Sequence, residues 1–149
     1  MLLFIILAVV CGPALIFKLI GRDVNTGGAI GMGLAFLMFG VGHFLATEQM
    51  TMLFPDWVPL KREIVLVTGV MELVAGAALF LSKYRKAAGW AAIAMLIGFL
   101  PANIYGALER VPFGGHEDGM AYLAIRIPLQ AFLIWWAWRF AARGHLAAR

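Results

Sequence analysis

Five polar side chains sit within otherwise apolar stretches of this sequence: His43, Glu72, Asn103, Arg126 and Gln130. Glu72 and Arg126 are the costly ones, because an ionised group in hydrocarbon needs a partner, water or a ligand. An Arg guanidinium presents a forked donor set that matches a carboxylate, so the types predict Glu72 paired with Arg126. Such a pair has two uses. It can be a buried ion pair, satisfied by Asn103 and Gln130, that fixes helix register. Alternatively it is the polar floor of a pocket, with Arg126 on an anion, carbonyl or quinone oxygen and Glu72 as a proton carrier. His43 alone reads as an interfacial hydrogen bonder or a second proton handler.

The elements that position these groups follow from composition. Of 149 residues, 63% are hydrophobic and 13% charged, and the mean hydropathy is +0.90. A soluble domain carries about a quarter charged residues, so a soluble globular enzyme, a disordered chain and a coiled coil are all excluded. An all-α transmembrane bundle is expected, one domain over residues 1–149, with spans at about 2–20, 27–46, 63–81, 87–108 and 119–140. The first run lacks a basic leader and a small residue before Cys11. It reads as a retained span, kinked near Pro13, rather than a signal peptide.

Basic residues gather at one set of span ends: Lys18, Arg22, Lys83, Arg85, Lys86, Arg139, Arg143 and Arg149. The opposite set holds only Lys61, Arg62 and Arg110, with most of the acidic residues. The positive-inside rule then predicts the N-terminus outside and the C-terminus cytoplasmic. It also accounts for the net +4 without nucleic acid. Tyr84, Trp90, Trp135, Trp136 and Trp138 are expected at the inner interface, and Trp57, Tyr105 and Tyr122 near the outer one, where Tyr105 and Tyr122 are also candidates for lining the pocket.

Helical rise puts His43, Asn103, Arg126, Glu72 and Gln130 roughly 5, 8, 10, 13 and 16 Å below the outer ends. All but Gln130 fall in the outer half. Tyr122, Arg126 and Gln130 are four apart and share a face. Pro128 and Pro101 free backbone carbonyls beside Arg126 and Asn103, which suits the lining of a cavity. The outer connection from Thr47 to Arg62 is apolar and broken by Pro55 and Pro59. Phe54 and Trp57 are its candidates for a lid, the alternative being an interfacial anchor. Small residues at Gly27, Gly31, Ala29 and Gly33 predict close helix packing in the bundle, or a homo-oligomer through the Gly27/Gly31 face.

Several chemistries are set aside. One cysteine, Cys11, allows no intrachain disulfide and no CxxC redox pair. A haem held by two histidines fails because His116 lies in an outer turn and His145 in the inner tail. Neither HExxH nor paired Glu-x-x-His motifs occur, and the run His116, Glu117, Asp118 reads as a polar turn. No metal and no intrinsic cofactor are therefore expected. A small-molecule permease would need polar groups continuing through the inner half, where none of the ionisable ones lies.

The order of four stretches resembles the DoxX-like family of small bacterial membrane proteins. They are FGVGHF at Phe39–Phe44, PDWVPLKREIVLVTGVMEL at Pro55–Leu73, RKAAGWAAIAMLIGFLPANIYGAL and YLAIRIPLQAFLIWWAW. The resemblance runs from about Gly27 to Phe140. It implies a four-helix bundle, to which this chain adds an N-terminal helix, in a bacterial inner (cytoplasmic) membrane. Its recurrent polar positions fall on His43, Glu72, Asn103, Arg126 and Gln130. The expected function is the membrane subunit of a redox-associated system, with an outer-half pocket for a quinone or similar amphipathic molecule and a redox partner subunit. The rival expectation is a non-catalytic assembly, chaperone or stress factor whose polar cluster is structural.

Overall fold

A computed structural model describes residues 2–143; His145 and Arg149, read above as part of the inner tail, lie outside the described residues. Chain that sits in hydrocarbon must satisfy its own backbone, and these apolar runs do so as helices. In order they are α1 (Leu2–Leu19), α2 (Val24–Leu45), the short α3 (Thr47–Thr51), α4 (Lys61–Phe80), α5 (Arg85–Leu108) and α6 (Met120–Ala137). A 3-10 turn at His116–Asp118 precedes α6, which continues as a π-helical turn over Trp138–Ala142. Among the described residues there is no strand. Four helices are long and apolar enough to cross a membrane: α2, α4, α5, and α6 with its π-helical turn. The fifth expected span, α1, is apolar but shorter at 18 residues, about 27 Å against roughly 30 Å of hydrocarbon. It is helical straight through Pro13.

The start of α2 is set by a cap as much as by apolar content. Asp23 accepts the backbone N–H groups of Asn25 and Thr26, each at 3.1 Å, so α2 begins at Val24, three residues before its apolar run. Slight burial opposes ionisation of Asp23, but the hydrogen bonds from Thr26 and Asn25 outweigh it and hold its carboxyl at about 2. At the other end of the chain, α6 stops no earlier than Ala142 because the π-helical turn carries it past Trp138.

Packing order is α1 on α2, α2 on α4, α4 on α5, and α5 on α6, with the π-helical turn returning to α2 and α5. Four helices thus close a ring and α1 lies outside it, against α2. Glycines permit the closest approaches. A Cβ on Gly27 would stand 2.7 Å from the Pro13 carbonyl oxygen, and one on Gly31 would overlap the Val10 carbonyl. The Gly27/Gly31 face is therefore occupied by α1, and a second copy of the chain cannot use it in this arrangement. On the far side of α2, Gly33 meets Gly76, and Gly40 meets Leu73 and the Gly69 carbonyl of α4. Backbones this close carry α2 and α4 side chains into direct contact.

Two ends can be told apart by their ties. At the basic end, Arg85 donates to the Thr26 hydroxyl (3.2 Å) and Arg139 to the Asn25 side chain (2.9 Å). There Trp136 donates to the Gly28 carbonyl at 3.0 Å and packs on Phe140. Trp136 is buried, so it is a core residue and not the interfacial anchor expected of it. Trp90, Trp135 and Trp138 are exposed on the surface, as a belt requires. With Ile93 and Ile134 they line a shallow apolar groove of about 480 Å³. The opposite end carries α3, the irregular segment to Lys61, and the 3-10 turn.

Candidate functional site

The glycine contact between α2 and α4 decides which charged group meets which. Gly69 lies one turn before Glu72, and a Cβ there would stand 2.7 Å from the His43 Cβ. His43 is consequently pressed onto α4, with its Nδ1 2.9 Å from Glu72 Oε2. The same nitrogen is 3.2 Å from the Phe39 carbonyl oxygen. One N–H cannot align on both, and Glu72 Oε2 is left without an aligned hydrogen bond. Glu72 is 2% exposed. The expected Glu72–Arg126 pair does not form: among the described residues no Arg126 nitrogen lies within 4.0 Å of a carboxylate. Arg126 is near enough for its charge to act on Glu72, without touching it. Residue types favoured the Arg partner, whereas the backbone approach at Gly69 selects the histidine.

The α5 side of the cluster is built by side chains that close on one another. Asn103 donates to the Phe99 carbonyl at 2.8 Å, the ordinary i to i−4 reach along a helix, and accepts from the Tyr122 hydroxyl at 2.8 Å. Tyr122 is thus a cross-helix donor rather than a membrane-interface anchor. The Phe99 ring lies 5.9 Å from that of His43, which joins the α2 and α5 sides. Gln130, 3% exposed, donates its amide to the Leu96 carbonyl of α5. Tyr105 is half-buried on α5 and enters none of these bonds.

His116 belongs to the cluster, and the reading of its run as a polar turn is corrected. The positive φ angles of Gly115 (94°) and Gly119 (59°) bracket the turn. They bend the chain back where other residues would be strained. His116 is carried inward to 3% exposure, its ring 4.2 Å from the Tyr122 ring and against Gly106. Its Nδ1 is 2.6 Å from the Phe113 carbonyl oxygen. Burial pushes the imidazole below its ordinary 6.5; the Phe113 carbonyl opposes this, and the nearby Arg126 charge adds to it. Only Glu117 and Asp118 of that run are exposed, so it gathers no metal ligands, and no group of three or more His, Cys, Asp or Glu forms among the described residues.

The connection from Thr47 to Arg62 covers this end, but not with the residues expected. Trp57 is 82% exposed and points away from the bundle. Phe54 is half-buried. The side chain that reaches inward is Leu53, buried against Gly106 beside His116. Exposed pairs hold the segment to the start of α4, Lys61 to Asp56 and Arg62 to Glu48, each at 3.1 Å. They fix its course and contribute little energy.

One chemical feature distinguishes this cluster from a satisfied polar core. Glu72 Oε2, His116 Nε2, Arg126 Nε and Gln130 Oε1 are buried polar atoms without an aligned hydrogen bond among the described residues, although Glu72 Oε2 keeps its 2.9 Å contact with His43. Each such atom costs about 1–3 kcal/mol when left alone. All four belong to the groups around Arg126: its charge acts on Glu72 and His116, and Gln130 lies one turn on along its own face.

Fold and site together define a class: a helical membrane bundle with an incompletely satisfied polar cluster buried towards one end. Within that class the chain belongs to the family described as Domain of unknown function (DUF8561), whose model matches residues 32–141. The matched region holds every cluster residue and excludes α1. Comparison with curated proteins and with solved structures gives no match.

Proposed function

We propose that this protein is a ligand-binding membrane subunit of a redox-associated system. In this reading the cluster receives the polar head of a quinone or similar amphipathic molecule. The observation that carries the reading is the set of buried polar atoms without an aligned hydrogen bond on His116, Arg126 and Gln130, beside the Glu72–His43 pair. A bundle retains such costs where function uses them. Arg126 would contact the head-group oxygen, Glu72 and His43 would handle protons, and Asn103, Tyr122 and Gln130 would orient the head. No redox centre is assigned to this chain, so electrons would come from the ligand or from a partner subunit. The resemblance to DoxX-like proteins supports the same reading. It also supports a bacterial inner membrane; the distribution of basic residues supports a cytoplasmic basic end, with α1 crossing as a fifth span.

The rival is an assembly or stress factor whose polar cluster only fixes packing. The Asn103–Tyr122 and Gln130–Leu96 bonds favour it, since both are internal partners. The two readings differ over Arg126. Arg126 is half-buried, so removing a guanidinium with no carboxylate partner relieves the cost of its buried Nε, whereas removing a structural partner leaves another charge alone. Arg126→Leu and Glu72→Gln are therefore compared with the parent for thermal stability and for saturable binding of a decyl-tailed benzoquinone. The proposal expects Arg126→Leu to keep or gain stability and lose binding. Lost stability in that variant, with no binding by the parent, would establish the rival.

A further inference from the structure

We infer that the groove between α5 and α6 at the basic end seats an anionic phospholipid, with an acyl chain along the indoles and the phosphate held by Lys86 and Arg143. The inference stands apart from the polar cluster, which lies towards the opposite end.

The groove is lined by Trp90 and Ile93 of α5, by Ala131, Ile134 and Trp135 of α6, and by Trp138 at the start of the π-helical turn. Ala131, Trp135 and Trp138 recur at helical spacing, so they form one stripe running about 10 Å along the helix from the basic end. Trp90, Trp135 and Trp138 are exposed, while Trp136 between them is buried in the core. Ala131 contributes only a methyl group, which leaves a concave trough of about 480 Å³ where a plain aromatic belt would be flat.

Two backbone features place cations at the mouth of this trough. A Cβ on Gly89 would stand 2.6 Å from the Ala142 nitrogen, so the first turns of α5 press on the π-helical turn. Lys86 lies one turn before Gly89 and shares a face with Trp90 and Ile93, and Arg143 follows Ala142; the two flank the contact. The π-helical turn then aims Arg143. Its N–H bonds the Trp138 carbonyl at 3.0 Å, five residues back, where an α-helical turn would have put Ala142. The guanidinium consequently lies 4.6 Å from the centre of the Trp138 ring, on the rim of the groove.

Neither cation is matched within the protein. Among the described residues no carboxylate lies within 4.0 Å of Lys86 or Arg143. The acid at this end, Asp23, is engaged in capping α2. Arg85 and Arg139 are tied to Thr26 and Asn25, which leaves Lys86 and Arg143 for an outside anion. Positive charge over an apolar trough between membrane helices complements a lipid with a net negative head group. A zwitterionic lipid would bring its own cation to these two, and a second copy packed in parallel would set basic end against basic end.

The test uses the full chain in phosphatidylcholine nanodiscs, with a small share of the lipid replaced by brominated-chain phosphatidylglycerol or, separately, brominated-chain phosphatidylcholine. Bromine quenches an indole that it touches, so Trp90, Trp135 and Trp138 report on the groove. One basic residue near a membrane surface favours anionic lipid about fivefold. With two, phosphatidylglycerol should be preferred at least about tenfold. The preference should fall severalfold when Lys86→Gln and Arg143→Gln are combined. It should hold in Lys18→Gln, which removes an equal charge at the same end from α1. Ala131→Phe, which fills the trough without changing charge, should also lower it. Thermal midpoints check that each variant folds, and the variants of the exposed Lys86 and Arg143 decide the matter if Ala131→Phe does not. Equal quenching by the two lipids, or an equal loss in Lys18→Gln, overturns the inference and leaves an ordinary interfacial belt. Quenching by neither lipid overturns it too, and assigns the groove to a protein partner or a second copy of the chain.

Discussion

The contact between α2 and α4 can be opened by one methyl group. In Gly69→Ala the new Cβ would stand 2.7 Å from His43 Cβ and 3.2 Å from the Phe44 ring. Carbon atoms rest about 3.5–4.0 Å apart, so the gap must widen by about 1 Å. His43 Cβ is attached to the backbone and cannot swing aside, so α2 itself must retreat from α4. The 2.9 Å His43–Glu72 contact then opens to about 4 Å. Overpacking of this kind costs about 1–3 kcal/mol, or roughly 2–12 °C in thermal midpoint for a chain of this size. Gly42→Ala is the matched control, because nothing lies within 4 Å of its added Cβ. There the better helix former gives up to about 1 kcal/mol of stabilisation. Both are read by tryptophan-fluorescence melts of detergent-solubilised protein at matched concentration. If Gly69→Ala melts with or above the parent, or Gly42→Ala loses as much, the small-residue account of this interface is wrong.

Three further outcomes follow from local geometry. Asp23 caps α2 with a carboxyl held at about 2 rather than its ordinary 3.8. Its contribution is therefore intact above about pH 4 and lost as pH falls towards 2; Asp23→Ala should remove about 1 kcal/mol at neutral pH and flatten that acid loss. His116 is buried with its pKa lowered, in the field of Arg126 and opposed by Glu117. The unfolded chain takes the proton first, so stability should decline as pH drops through 6.5, and a pH series of melts on His116→Phe should lack that slope. Tyr122→Phe leaves the buried Asn103 acceptor unmatched where the hydroxyl stood at 2.8 Å. A loss of about 1–3 kcal/mol is expected in the same melts.

Much of the fold was legible because membrane helices announce themselves by length and apolarity. The four long helices were placed within a few residues, and α2 started earlier only because Asp23 reaches forward as a cap. The polar band was legible too, since rise per residue locates a side chain along its helix. Which groups would touch was not. Glu72 meets His43 because Gly69 lets two backbones close, a property of helix crossing that one helix's spacing does not contain. His116 was missed because Gly114, Gly115, Glu117 and Asp118 disguise it as a solvated turn. The positive-φ glycines around it were the signal, as they allow the chain to fold back. Trp57 looked like a lid by size, yet Leu53 is the residue that reaches Gly106, two turns of irregular chain having rotated Trp57 outward.

The central claim is that the cluster around Arg126 holds a molecule that completes it. Organic extraction and mass spectrometry of the protein, isolated from its membrane in lipid nanodiscs without added ligand, address this directly. Parent protein and Arg126→Leu are compared at equal folded amounts. The account predicts an amphipathic molecule retained near one per chain by the parent and depleted in the variant. Identical extracts from the two, differing in no component from the surrounding lipid, would contradict it.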